Sequence, residues 1–179
     1  MKQRLVRIAS FAAALAAAAG GIAFGIARAD VAPHVAADDP VTAGRYLINY
    51  GGCNDCHTAG QMEGQPLPGE AQRLTGSRLG FMGPWGVSYP ANLRLVFASM
   101  TPQQWDALIA NPGPYGKPPM PWASLQQLSE GDRQAIYAYV RSLGPAGSPA
   151  PADVAPGQTP QTPYIVMMPQ GPGAPQPPH

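Results

Sequence analysis

The sequence predicts an all-α domain with long loops and a Pro-rich C-terminal tail, on three observations. Three segments carry apolar residues at helical spacing between recognisable start and stop signals. No run of alternating or β-branched residues makes a convincing strand. Residues 59 to 100 are rich in Gly and Pro with little periodicity, and a loop that long inside a compact domain implies that it wraps around something.

The order along the chain begins with a leader. Lys2, Arg4 and Arg7 precede an apolar, Ala-rich run from Ile8 to Ala19, and Ala27-Arg28-Ala29 forms a small-x-small cleavage site before Asp30. Residues 1–29 therefore read as a secretory signal peptide. Apolar character resumes after Gly20-Gly21, and the 20 residues from Ile8 to Ala27 would span a bilayer if left uncleaved. The cationic end would then stay on the cytoplasmic side, so an anchor and a cleaved leader both export the remainder. Residues 30–39 form a flexible lead-in, 40–145 the folded domain and 146–179 the tail.

The first helix starts with Asp39 as cap and Pro40 at its first position, places Val41, Gly44, Leu47 and Ile48 on one face, and ends at Gly51-Gly52. The second opens with Thr101-Pro102-Gln103-Gln104, a cap, an N1 proline and a capping-box glutamine. It continues through Trp105, Leu108 and Ile109 to a stop at Asn111-Pro112-Gly113. The third starts at Ser129 with Asp132, carries Ile136, Tyr139, Val140 and Leu143 in one stripe, and closes at Gly144-Pro145. From Gly144 to His179 there are eleven prolines in 36 residues, which cannot build a core. This tail is expected to be extended, disordered or draped, with "YIVMMP" at 164–169 as the part that docks.

Charge excludes one class of partner. Removing Lys2, Arg4, Arg7 and Arg28 with the leader leaves seven basic against ten acidic side chains, a net charge of −3. Nucleic acid, which requires clustered Lys and Arg, is a poor match. Nor is there a phosphate-binding loop, because Gly116-Lys117 runs into Pro118.

The chemistry concentrates in Cys53-x-x-Cys56-His57, which holds both cysteines of the chain. This is the attachment pattern for one covalent haem c: two thiols add to one porphyrin edge and the adjacent imidazole ligates iron. Zinc would want four ligands, yet there is no second Cys pair, and His34 and His179 lie near the chain ends. A thioredoxin-like dithiol needs a βαβ setting. A structural disulfide is the plain alternative in an exported protein.

For the opposite face of the iron the candidates are Met62, Met82, Met100, Met120, Met167 and Met168. Met120 leads, because Pro118, Pro119 and Pro121 stiffen the loop that presents it between the second and third helices. Its plain alternative is core filling. Met82 and Met100 stand in reserve. Met62 is too near the attachment site, and the tail pair suits packing.

Five stretches, "AGRYLINYGGCNDCHT" (43–58), "GPWGVSYPANLRL" (83–95), "MTPQQWDALIA" (100–110), "PPMPW" (118–122) and "LSEGDRQAIYAYVRSLGP" (128–145), resemble class I c-type cytochromes. The likeness is strongest to monohaem cytochrome subunits of periplasmic dehydrogenases, and the 63-residue separation of His57 from Met120 is similar to that family's spacing. It implies a cytochrome c-like fold, with three or more helices around one covalent haem. Cys53 and Cys56 would carry the thioethers, His57 would be proximal and Met120 distal, and the first and last helices would cross near Gly44. A one-electron carrier is implied rather than an enzyme, periplasmic whether free, in a complex or membrane-anchored. Its redox partners would be a dehydrogenase upstream and an oxidase or another cytochrome downstream.

The residues themselves keep smaller readings open. The side chain of Tyr46, Tyr137 or Tyr139 could pack where Gly44 lacks one. Asn92 suits either a haem propionate or its own loop. Arg78 and Arg94 suit propionates or a solvated face. Trp85, Trp105 and Trp122 suit core or haem-wall packing. The competing function is a ligand-exchangeable haem enzyme or a gas or redox sensor, which would need a distal His/Arg pair or a vacant distal side. A pure interaction protein would leave the haem motif unexplained.

Overall fold

A computed structural model describes residues 34–168 and 171–173. The expected leader (1–29), the start of the lead-in and His179 lie outside the described residues. Among the described residues the fold is mostly helical, with six helices and a small three-stranded sheet. In chain order the elements are α1 (Pro40–Tyr50), α2 (Cys53–His57), β1 (Gly80–Gly83), β2 (Gly86–Ser88), α3 (Leu93–Ala98), α4 (Pro102–Ala110), α5 (Trp122–Leu125), α6 (Glu130–Ser142) and β3 (Tyr164–Val166). Single 3₁₀ turns lie at Glu70–Gln72 and Gly113–Tyr115. No helix among the described residues is long and apolar enough to cross a membrane.

The three helices anticipated from caps are present as α1, α4 and α6. Asp39 accepts from the Thr42 amide at 2.9 Å, and Ser129 accepts from the Asp132 amide at 3.1 Å. Thr101 and Gln104 form the reciprocal capping box, each side chain accepting from the other's backbone amide. Such local bonds satisfy donors that a helix start otherwise leaves orphaned, which makes these starts readable in sequence.

The core forms where α1 crosses α6. Gly44 is buried, and a Cβ built on it would stand 2.0 Å from the Ala135 carbonyl oxygen and 2.7 Å from the Tyr139 Cβ. The backbones meet there, as the resemblance implies. Of the three candidate tyrosines, Tyr139 is the one fully buried, while Tyr46 is exposed. Ile48, Phe97, Trp105, Ile109, Ile136 and Val140 complete the cluster with Leu74. Phe97 and Trp105 lie with ring centroids 4.7 Å apart, and the Trp105 indole N–H donates to the Arg133 carbonyl at 2.9 Å, locking α4 onto α6.

The sheet corrects the all-α expectation, and the loop read over 59–100 also holds α3. β1 and β2 pair antiparallel through a two-residue turn, and β3 joins β1 in parallel, Gly80 opposite Tyr164 and Met82 opposite Val166. The strands are three or four residues long, too short for a period-two pattern to emerge. β3 comes from the tail, so its pairing is invisible to any local reading. The described part of the tail is draped, and Tyr164–Val166 docks on the domain's own sheet, followed by Met167, which donates its amide to the Met82 carbonyl at 2.7 Å.

Gly44→Ala is expected to force α1 and α6 apart at a cost of about 1–3 kcal/mol. Thermal unfolding followed by circular dichroism should show Tm lower by on the order of 5–10 °C; an unchanged Tm would refute the close crossing.

Candidate functional site

α1 runs almost directly into the cysteines. Gly51 donates its amide to the Leu47 carbonyl at 2.8 Å, and Gly52 adopts a left-handed φ of 67° that turns the chain into α2. Within α2, Cys53 and Cys56 are three residues apart and so lie on one side of the turn. The next residue, His57, turns inward and is 8% exposed.

The imidazole is oriented by a bond to the backbone. His57 Nδ1 lies 2.8 Å from the Ala91 carbonyl oxygen. A carbonyl only accepts, so Nδ1 carries the proton and Nε2 of the neutral ring keeps its lone pair for a metal. Burial holds the His57 pKa below its ordinary value, with the Ala91 bond opposing in part. The ring is therefore neutral at pH 7, the form that ligates.

Polar bonds fix α2 from beneath. The Thr58 hydroxyl donates to Asn54 Oδ1 at 2.9 Å and accepts from the Leu74 amide at 2.9 Å. The His57 carbonyl accepts from the Gly76 amide at 2.8 Å. Leu74 itself is fully buried at φ 59°, a strained conformation for a residue with a side chain, held by these contacts.

Both cysteines are free thiols. Burial pushes the Cys53 thiol up to about 11, and burial with the nearby Asp55 carboxylate raises that of Cys56. Neither is the depressed-pKa thiolate of a catalytic dithiol. Among the described residues no group of three or more His, Cys, Asp or Glu side chains is gathered for a metal ion.

Met120 is half-buried on the loop before α5, so the structure gathers Cys53, Cys56 and His57 on one helix and carries Met120 on a separate segment. That loop is fastened to the end of β2, where the Ser88 hydroxyl donates to the Pro118 carbonyl at 2.6 Å. Three residues beyond Ser88 comes Ala91, the residue that orients His57. The other methionines are placed elsewhere. Met100 packs on the core and its carbonyl accepts from the Tyr137 hydroxyl, Met82 sits within β1, Met62 and Met167 are exposed, and Met168 follows β3.

Two expected alternatives resolve in favour of structure. Asn92 caps α3 by accepting from the Leu95 amide at 3.1 Å, and its amide donates to the Ala146 and Ser148 carbonyls at 2.8 and 3.1 Å. Arg94 is neither solvated nor free for a propionate. It is buried, and its guanidinium donates to the Ala71, Leu143 and Gly144 carbonyls, closing the C-terminal end of α6. Arg78 is exposed. Trp105 is core, as above, and the Trp85 indole donates to the Phe81 carbonyl at 3.2 Å.

Sequence reasoning missed the Ala91 carbonyl, because a backbone oxygen leaves no mark in side-chain identity. It also missed a buried orphan, the Trp122 indole N–H, which has no partner among the described residues. A buried unpaired donor costs about 1–3 kcal/mol and asks for an acceptor.

The donor set fits a covalently held porphyrin: two thiols on one side of a helical turn, an oriented neutral imidazole, a half-buried thioether on a fastened loop, and an unsatisfied N–H two residues beyond that thioether. Compared with models of known families, with curated proteins and with solved structures, the chain matches none. The Cys53–His57 stretch is, on its own chemistry, consistent with a haem-binding motif.

Two outcomes are expected. Thr58→Val should lose about 1–3 kcal/mol by unpairing the Leu74 amide and Asn54, read as a lower urea midpoint. Because the folded state holds His57 below its unfolded pKa, its contribution is complete above pH 6.5 and is lost as pH falls below it. Urea unfolding of the cofactor-free chain between about pH 7.5 and about pH 5 should show this as a slope of up to about 1.4 kcal/mol per pH unit. His57→Gln should flatten it.

Proposed function

We propose that the chain is a periplasmic monohaem c-type cytochrome that carries one electron at a time from a dehydrogenase to an oxidase or another cytochrome. The observation that carries this reading is the His57–Ala91 bond, which leaves an unprotonated Nε2 beside two thiols. Haem joined through thioethers at Cys53 and Cys56 would supply an iron that alternates between two oxidation states.

The chain's own residues then divide the work. His57 would hold the iron through Nε2, and the Ala91 carbonyl, by accepting from Nδ1, fixes the ring and raises its basicity. Met120 would supply a neutral sulfur ligand, which would favour the reduced metal and raise the potential. With His57 and Met120 both as ligands, the iron would keep no position open for a substrate, so the reading is of a carrier and not an enzyme. Exchange with partners requires one exposed edge and a small, transient interface.

The test is a spectrum. Protein exported with the haem-attachment machinery should keep its pigment in acidified acetone, since thioether bonds survive it. The ferric form should show the near-infrared charge-transfer band of sulfur-ligated haem, and Met120→Ala should abolish the band and lower the potential. A colourless product refutes the haem. A band that persists in Met120→Ala refutes the ligand, and rapid CO binding to the reduced wild type would favour the enzyme or sensor.

A further inference from the structure

The segment beyond α6 does more than cover the sheet. Asn92 holds its start at Ala146 and Ser148. Further on, Val154 exchanges both backbone bonds with Val87, at 2.8 and 2.9 Å. The approach is so close that a Cβ on Gly86 would stand 2.0 Å from the Val154 carbonyl oxygen. Next to this ladder, Asp153 spreads its carboxylate between two other segments. Oδ1 accepts from the Tyr89 amide at 3.2 Å, and Oδ2 accepts from Lys117 Nζ at 2.7 Å. Thr162 donates to the Tyr89 hydroxyl at 2.8 Å, tying down the far end.

Lys117 lies three residues before Met120. We propose that Asp153 is a positioning residue for the Met120 thioether: the tail acts as a strap that holds the Met120 loop against the β2 segment through the Asp153–Lys117 pair. The proposal rests on Met120 being an iron ligand.

An isolated pair at this exposure, with side chains 38% and 39% accessible, contributes little, largely because ordering two long side chains costs entropy. Here the acidic partner is already ordered, by the Val87–Val154 ladder on one side and the Tyr89 amide on the other. Only Lys117 loses freedom. The pair also works beside a second tether, the Ser88–Pro118 bond, so the loop is held at two consecutive residues.

The experiment titrates imidazole into the ferric holoprotein and follows loss of the near-infrared band. Imidazole takes the iron when the thioether leaves, so its apparent affinity reports how firmly the loop is held. Asp153→Asn and Lys117→Met should each tighten imidazole binding by about three- to fivefold, the range of an exposed pair. The double variant should go no further than either single one. Asp106→Asn removes the ion pair between Asp106 and Arg133 on the far helices, and should leave imidazole affinity unchanged while lowering Tm, which separates positioning from general stability. A band in the wild type with unchanged affinity in both single variants, or effects that multiply in the double one, overturns the strap alone. No band in the wild type overturns the ligand assignment and the strap with it.

Discussion

The contact between α1 and α6 at Gly44 is the constraint on which the other arrangements depend. With no side chain at that position, two helical backbones meet, and the fully buried Tyr139 lies beside the contact. The Tyr139 hydroxyl donates to Glu70, Glu70 pairs with Arg45 at 2.8 Å, and the Arg45 guanidinium lies 5.7 Å from the Tyr139 ring centre. The exit direction of α1 is thereby set, and the exit of α1 is the entrance of α2. The cysteines and His57 inherit their position from a helix crossing nearly ten residues earlier.

A second organising element is the short segment from Gly86 to Asn92. Its Val87 side chain is fully buried, and the segment holds four other parts of the chain. Val87 pairs with the tail, Ser88 with the loop before Met120, Ala91 with His57, and Asn92 with both α3 and the start of the tail. Most of these bonds involve a backbone group on at least one side. Backbone groups cannot swing away as long side chains do, so such bonds lose little entropy on ordering. The side-chain ion pairs Arg45–Glu70, Lys117–Asp153 and Arg133–Asp106, by contrast, are partly exposed, and isolated pairs of that kind stabilise weakly.

The helices that were legible in sequence are those whose starts are written locally. Asp39 with Pro40, Thr101 with Gln104, and Ser129 with Asp132 satisfy amides within their own first turns. The short helices and strands were not legible. α3 begins with a capping asparagine, but six residues give no apolar period. β3 exists because β1 offers it an edge. Arg94 shows the same limit at the level of one side chain: its charge suggested solvent or an anion, whereas the partners it found are carbonyls from residues up to 50 positions away.

The candidate donor atoms were proposed from the sequence alone, since the spacing of Cys53, Cys56 and His57 is a local property and the proline-flanked Met120 marks a stiff loop. The tautomer of His57, the left-handed Leu74, the orphaned N–H of Trp122 and the docking of the tail were decided by the folded arrangement. Each depends on atoms distant along the chain, and contacts of that kind leave no periodicity, cap or spacing in the residues that make them.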